Sequence, residues 1–222
     1  GDDYKCYSED TGIALILHHY LKECEVQGKK IQFTTTVASS LMFEGLAEKF
    51  DARIIRTPYG ECYVAEMLIK LLDKNDENEA LIFGGEGSCG GIMFPKFNNA
   101  RDGILAAAKI IEILVTTKKK ISELVEQLPK YATYRINLDI KNRDVEQIIS
   151  NVKEELIAEG EKVSQVGLDL RFGEGSEWFV LIHPSTTEPK LRIISEAKRQ
   201  ALAKLYCEST LELINFLETK IK

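Results

Sequence analysis

Short apolar runs that alternate with amphipathic segments most constrain how residues 1–129 can fold. Runs at 31–36, 53–57 and 80–83 are rich in β-branched or aromatic residues, which predicts three strands. Apolar residues at helical spacing predict helices over 10–23, 39–50, 62–74 and 101–117. Successive strand–helix–strand units connect through right-handed crossovers and build parallel sheets. We therefore expect an α/β domain in which a parallel sheet is the middle of three layers.

The pattern changes after Pro129, where we place a domain boundary. Polar and apolar residues alternate over 131–140, which predicts a half-buried strand. Further strands are expected at 163–172, 177–183 and 190–195, and helices at 143–159 and from 196 onward. Strands that follow one another directly favour an antiparallel sheet. Residues 130–222 are thus expected to form a smaller α+β domain with an antiparallel sheet backed by helices.

Three loops of the first domain are predicted to meet at one edge of its sheet. The predicted strands end near residues 34–36, 57–61 and 84–91. In parallel sheets, ligands bind outside the carboxyl ends of the strands. The segments that follow these strands are therefore the first place to look for a site.

The segment 84–91 is the most unusual of these loops, because five of its eight residues are glycines. Glycine lets backbone approach a ligand closely or adopt positive φ angles. Glu86 and Ser88 lie within this frame, and a carboxylate can accept two hydroxyl hydrogen bonds, as sugar recognition requires. The Gly-Lys-Ser/Thr end of a phosphate-binding P-loop is missing. A glycine-rich turn with a solvated glutamate is the alternative.

A second loop, 183–192, carries three consecutive hydroxyl residues between two prolines. Hydroxyls and backbone N–H groups in a fixed turn can surround a phosphate, and Arg192 can add a bidentate contact. His183 can donate as well. The alternative is a hairpin loop with an ordinary surface arginine.

Charge and cysteine usage exclude several classes of protein. The chain has 29 basic and 35 acidic side chains, so its net charge is −6. That balance argues against nucleic acid as a partner and against a polybasic membrane-surface protein. The five cysteines form no Cys-x-x-Cys pair, which favours reduced thiols in the cytoplasm over disulfides or a zinc site.

Together the two loops resemble motifs of the α-D-phosphohexomutase family. The second is similar to that family's phosphate-binding signature, Arg-x-Ser-Gly-Thr-Glu-Pro followed by Arg and Glu-Ala. The matching positions are Ser185, Thr187, Glu188, Pro189, Arg192, Glu196 and Ala197. The first loop is similar to the family's sugar-recognition motif Gly-Glu-x-Ser-Gly-His. Segments 35–40 and 57–60 also resemble the family's third domain, so the resemblance runs from about residue 31 to residue 197.

The resemblance implies phosphoglucomutase or phosphomannomutase chemistry in a longer, four-domain enzyme. Such an enzyme interconverts hexose 1-phosphate and 6-phosphate through a phosphoserine with the help of Mg²⁺. This chain resembles the third and fourth domains with a short tail of the second. We find neither the phosphoserine loop nor the Mg²⁺ loop in it. The expectations are that it binds no metal or other cofactor, has no mutase activity alone, and has a hexose phosphate and the N-terminal domains as partners.

The same resemblance assigns the expected site residues. The expected sugar ligands are Glu86, Ser88, Gly90, Tyr59, Gly60 and Glu61. The expected phosphate ligands are His183, Ser185, Thr186, Thr187 and Arg192. His183 replaces the leading arginine of the signature, Thr186 replaces a glycine, and Cys89 and Gly90 replace Gly-His. A non-catalytic sugar-phosphate-binding module or partner subunit is the alternative function, and an α/β protein whose loops bind nothing is a third possibility.

Overall fold

A computed structural model describes residues 2, 4–50, 52–74, 80–87, 91–185 and 187–220. The chain divides into two compact units, Gly1–Pro129 and Lys130–Lys222, and each is described by itself. Among the helices of the described ranges, none combines the length and the apolar character needed to cross a membrane.

The first unit alternates helices and strands before it ends in two further strands and two helices. Its elements are α1 (Glu9–Gln27), β1 (Lys30–Thr36), α2 (Met42–Phe50), β2 (Arg53–Thr57), α3 (Glu61–Leu72), β3 (Ala80–Glu86), β4 (Gly91–Phe94), β5 (Asn98–Asp102), α4 (Gly103–Thr117) and α5 (Ile121–Val125). The order of strands in its sheet is β2-β1-β3-β4-β5. Strand β1 lies between β2 and β3, and it pairs with both in parallel, which is the direction that the sequence predicts.

The expectation of a wholly parallel sheet is wrong, because β4 and β5 extend this sheet in the antiparallel direction. The expected loop 84–91 contains the end of β3 and the start of β4. A Cβ atom at Gly85 would lie 3.0 Å from the carbonyl oxygen of Gly91, so glycine permits the close approach of the two strands. Glycine has a low strand propensity, which is why the sequence pattern indicated a loop here.

Two apolar clusters pack against this sheet. Phe33 and Phe83 belong to a cluster with the buried residues of α1. Ile82, which neighbours Phe83 in β3, belongs instead to a cluster with Val64 and Leu68 of α3. Because successive strand residues point to opposite faces, α1 and α3 contact opposite faces of the sheet.

The second unit contains a five-stranded sheet with the order β6-β10-β9-β8-β7. Its elements are β6 (Ala132–Asp139), α6 (Val145–Ala158), β7 (Val163–Val166), β8 (Asp169–Glu174), β9 (Trp178–Pro184), β10 (Lys190–Ala197) and α7 (Gln200–Lys220). All neighbouring strands are antiparallel, which confirms the expectation. The single strand expected at 163–172 is a hairpin of β7 and β8, because Gly167 adopts φ 59° and turns the chain.

One face of this second sheet is covered by helices. Ile149 and Val152 of α6 and Ile214 of α7 form a cluster with apolar residues of the strands. On β10 the side chains that join this cluster are Leu191 and Ile193, both fully buried. The residue between them, Arg192, therefore points to the opposite face of the sheet.

Candidate functional site

The carboxyl ends of β1, β2 and β3 form a polar edge in the first unit. Among the described residues of this unit, the buried polar side chains all lie at or near that edge. They are Thr34, Thr35, Thr36, Ser39, Ser40, Thr57 and Glu86. Burial of a polar group is costly unless it is hydrogen-bonded. The hydroxyl of Thr35 donates to Oγ of Ser39 at 2.8 Å, and the hydroxyl of Thr57 donates to the carbonyl oxygen of Thr35 at 3.3 Å, whereas the buried hydroxyl of Thr34 has no hydrogen-bond partner among the described residues.

Glu86 is the last residue of β3, and it is only 3% exposed. This burial contradicts the alternative of a solvated glutamate. Its Oε2 atom lies 3.6 Å from an Nη atom of Arg101, at the end of β5. A buried carboxylate requires a nearby cation, and the arginine supplies it.

Arg101 also binds Glu61, the first residue of α3. Its Nε donates to Oε2 of Glu61 at 2.9 Å, and its backbone N–H donates to Oε1 at 2.8 Å. The backbone hydrogen bond, together with the guanidinium, lowers the pKa of the Glu61 carboxyl. Arg101 thus brings Glu61 and Glu86 together. Sequence reasoning missed this arginine, because it was expected to begin a helix and instead belongs to the overlooked strand β5.

The first turn of α1 reaches the same edge through Asp10. Its Oδ2 accepts a hydrogen bond from the backbone N–H of Ser40 at 3.2 Å. A Cβ atom at Gly87 would lie 2.0 Å from its Oδ1, so a larger residue after Glu86 would displace the Asp10 side chain. Asp10 can serve this role because the side chain that caps α1 is Ser8, which accepts from the backbone N–H of Thr11.

Arg56 holds the loop that follows β1. Its guanidinium donates to the carbonyl oxygens of Thr36, Ser39 and Ser40 at 2.6–2.9 Å. It also makes two hydrogen bonds with the carboxylate of Glu44, at 2.8 and 2.7 Å. The rigid fork of arginine suits such a set of oxygens, so one side chain binds three carbonyl groups of the loop. Nothing in the sequence pattern around Arg56 indicated this role.

The structure describes only some of the other residues of the expected sugar site. Tyr59 and Gly60 lie in the half-buried segment between β2 and α3. Gly60 has φ 133°, a conformation that side chains rarely adopt, so the turn requires glycine. Ser88 and Gly90 fall outside the described residues.

In the second unit, the loop between β9 and β10 brings the expected phosphate residues together. The backbone N–H of Ser185 donates to the carbonyl of Lys190 at 2.9 Å, which closes the loop. The hydroxyl of Ser185 accepts from the backbone N–H of Thr187 and lies 3.4 Å from its hydroxyl. Thr186 falls outside the described residues.

A row of polar side chains crosses four strands beside this loop; we call it the polar row. Arg192 pairs in register with His183 on β9 and with Asn137 on β6. Asp169 on β8 lies next to His183, and its Oδ1 is 2.6 Å from Nδ1 of the imidazole. The row lies on the sheet face opposite the helices. Asp169 was not identified from the sequence, because its partner comes from a different strand.

One acidic residue, Glu188, partly neutralises the cations near this loop. Oε2 of Glu188 is 3.1 Å from Nζ of Lys190 and 4.0 Å from an Nη atom of Arg192. The side chain of Arg192 is 37% exposed, so solvent and ligands can reach it. Within the described ranges of the whole chain, no three His, Cys, Asp or Glu side chains converge as a metal site would require.

Comparison with known proteins agrees with the resemblance seen in the sequence. Residues 9–131 match the family described as phosphoglucomutase/phosphomannomutase, alpha/beta/alpha domain III. The chain is 35% identical over 181 residues to a phosphoglucomutase/phosphomannomutase of Thermococcus kodakarensis, covering 81% of this chain and 37% of that protein. It is 32% identical over 190 residues to a phosphoglucosamine mutase of Methanocaldococcus jannaschii, covering 86% of this chain and 40% of that protein.

Solved structures share the fold at lower identity. A phosphoglucomutase/phosphomannomutase family protein of Burkholderia thailandensis aligns with a TM-score of 0.70 and 19% identity, over 92% of this chain and 42% of that one. An Aspergillus fumigatus N-acetylphosphoglucosamine mutase aligns with a TM-score of 0.64 and 11% identity, over 93% and 46%. The chain spans about two fifths of the length of the sequence relatives it matches. Since the family match covers more than half of the 222 residues, this chain belongs to the phosphoglucomutase/phosphomannomutase family.

Proposed function

We propose that this chain is the sugar- and phosphate-binding part of a phosphohexomutase, an enzyme that interconverts hexose 1-phosphate and 6-phosphate. The observation that carries the proposal is the second unit's hydroxyl loop beside the cross-strand pair of Arg192 and His183. A phosphate needs several donors that converge from different directions. The loop hydroxyls, the backbone N–H groups and the guanidinium can supply them.

The phosphate that binds here is the one that is not transferred. Ser185 and Thr187 donate from the loop, together with Thr186 between them, and Arg192 adds a charged contact from β10. His183 supplies a further donor at the rim. The hairpin fixes the spacing of these groups before a ligand arrives, so less conformational entropy is lost on binding.

The sugar hydroxyls bind at the polar edge of the first unit. Glu86 is buried and lies 3.6 Å from Arg101, and in such a partly dehydrated environment a carboxylate forms strong hydrogen bonds with hydroxyl groups. In this proposal Tyr59 and Gly60 contribute from the segment between β2 and α3. Ser88 and Gly90 are assigned as sugar ligands from the sequence motif alone. The carboxylate of Glu61 contributes by holding Arg101, since both of its oxygens accept from that residue.

The architecture of the first unit supports this assignment. The packing of Phe83 with α1 and of Ile82 with α3 favours a three-layer arrangement, with the sheet in the middle. Phosphoryl transfer also needs a nucleophile that carries the phosphoryl group and a metal ion that neutralises its charge. In this proposal, the phosphoserine and Mg²⁺ are held by segments outside these 222 residues.

Replacing Arg192 with alanine is expected to weaken the binding of glucose 6-phosphate about tenfold. A charge-assisted hydrogen bond contributes about 1.5 kcal/mol when the side chain remains partly exposed. Isothermal titration calorimetry of the purified chain measures the change. Arg135→Ala is the matched control, because this exposed arginine projects from β6 on the same face, outside the polar row. Equal affinities for wild type and Arg192→Ala would refute the phosphate site.

Replacing Glu86 with glutamine is expected to lower the affinity for glucose 6-phosphate about tenfold and leave the affinity for inorganic phosphate unchanged. The amide keeps the shape but replaces one acceptor oxygen with a donor, so a hydroxyl hydrogen bond is lost. Calorimetry with both ligands gives the two affinities, and Glu66→Gln on the exposed side of α3 is the control. A parallel loss for both ligands would contradict a sugar-specific role.

A further inference from the structure

One edge of the antiparallel sheet in the second unit is open. Strand β7 is the last strand of this sheet, and among the strands of the described ranges it pairs only with β8. Ser164, Gln165 and Val166 are exposed along it. We propose that this edge binds an extended peptide segment of another protein, which adds a strand beside β7 and directs a lysine or arginine side chain towards α6.

The hairpin of β7 and β8 determines which backbone groups face the open edge. Val166 and Asp169 flank its two-residue turn, so they exchange hydrogen bonds with each other, as in other hairpins of this kind. Hydrogen-bonded and non-hydrogen-bonded pairs alternate along antiparallel strands. The N–H and C=O groups of Val163 and Gln165 therefore point away from β8. An added strand can form up to about four hydrogen bonds with these two residues.

This edge lacks several features that commonly protect an open strand. Natural sheets protect their edges with charged side chains, prolines, bulges or very short strands. The four residues of β7 include no charged residue and no proline, and their pairing with β8 is regular. Two exposed apolar side chains extend the surface, Val166 at the end of β7 and Leu168 in the turn. The edge therefore suits a short added strand of about four residues.

A cavity beside this edge has room for a side chain of the added strand. Its volume is about 330 Å³, and it is lined by one face of α6 together with Gln165 and Leu168. Val163 packs with the apolar cluster that α6 covers, so Gln165, two residues further along β7, also points to the α6 side. Because side chains alternate in the same way along an added strand, every second one points towards the cavity.

The residues of the cavity favour a long cationic side chain. Its apolar wall includes Ile157 and Leu168, which are 53% and 39% exposed. The charged residues that line it are Glu146, Glu154 and Lys153, two carboxylates and one ammonium group, so their net charge is −1. Lysine and arginine can pack an aliphatic stem on apolar surface while the charged end stays near carboxylates and water. This charge complementarity selects a basic segment as the partner.

NMR titration of the full 222-residue chain with a short peptide tests strand addition. The probe is Thr-Lys-Thr-Lys-Thr, acetylated and amidated at its ends, in which both lysines point to one side of an extended strand. We expect chemical-shift changes and slower hydrogen exchange at the amides of Val163 and Gln165, because these N–H groups become hydrogen-bonded. The same peptide with glutamates in place of lysines should bind at least about threefold more weakly. A backbone-methylated peptide should not bind.

Two substitutions separate the backbone contribution from the charge contribution. Gln165→Pro removes an N–H that points away from the hairpin, so peptide binding should weaken about tenfold. Gln165→Thr is its control, because it loses the same side chain and keeps the N–H. Glu154→Gln should weaken binding of the lysine peptide about threefold. Glu159→Gln removes the same charge just beyond the end of α6, outside the cavity, and should have no effect.

Native fluorescence of Trp178, the chain's single tryptophan, shows that the second unit of each variant is folded. Unchanged amides at Val163 and Gln165 in several millimolar peptide would overturn the proposal, and so would equal binding of the lysine and glutamate peptides. Binding that survives both Gln165→Pro and backbone methylation would exclude strand addition. Changes at β7 that follow protein concentration without peptide would identify a second copy of the chain as the occupant and also overturn the proposal. None of these measurements uses a sugar phosphate, so the proposed function is tested separately.

Discussion

Replacing Arg56 with alanine is expected to lower the free energy of unfolding of the first unit by about 3 kcal/mol. The guanidinium makes five hydrogen bonds, three to loop carbonyls and two to Glu44, and only 16% of the side chain is exposed. Its loss removes these five hydrogen bonds and the guanidinium that pairs with Glu44. Removal of one partner from a largely buried network typically costs about this much.

Arg53→Ala is the matched control for this experiment. Arg53 begins the same strand but is exposed, so its truncation should change stability by less than about 0.5 kcal/mol. Urea unfolding followed by amide hydrogen exchange reports the first unit, and fluorescence of Trp178 follows the second. Equal destabilisation by the two substitutions would show that the network around Arg56 contributes nothing of its own.

The second large effect is expected for Gly84→Ala, which should also lower the free energy of unfolding by about 3 kcal/mol. A Cβ atom at this position would lie 2.5 Å from the carbonyl oxygen of Thr34 and 3.2 Å from side-chain atoms of Val64 and Leu68. That carbonyl belongs to the neighbouring strand β1, so it cannot move away without disturbing the β1–β3 pairing. Overpacking of this kind costs about 1–3 kcal/mol, and a backbone clash places it at the upper end.

Gly103→Ala tests the same exchange where there is room for a methyl group. Gly103 begins α4, and a Cβ atom there would have no atom within 4 Å. Alanine should therefore stabilise the unit by about 0.4–1 kcal/mol, through lower entropy of the unfolded chain and higher helix propensity. Thermal or urea unfolding of both variants gives opposite signs if the contacts at Gly84 are correct. A shift of the same sign in both would contradict them.

The order of apolar and polar residues predicted correctly those strands and helices whose own residues are typical of that structure. The runs at 31–36 and 53–57 are strands in the structure, and the consecutive strands of the second unit form the expected antiparallel sheet. The pattern failed for β4 and β5, which extend the first sheet. These strands lie close to the strands beside them because glycine occupies positions 85 and 91. In the sequence alone, such glycines indicate a loop.

The sequence likewise identified some residues of the candidate site and missed others. Motifs identified Glu86, Ser185, Thr187 and Arg192, because each belongs to a short segment with distinctive residue types. They did not identify the residues that hold these groups in place. Those residues are Asp10, Arg56, Arg101 and Asp169. Each of them is an ordinary charged residue in its own segment.

The sequence by itself determined which segments carry hydrogen-bond donors and acceptors, since residue type and spacing are local properties. Only the tertiary structure decided which charge meets which partner. Arg101 comes within 3.6 Å of Glu86 because β4 and β5 return beside β3, and Asp169 reaches His183 because β8 pairs with β9 in one register. Such partners come from strands that are separate along the chain. Their identity depends on strand order and register, which result from the packing of the whole sheet.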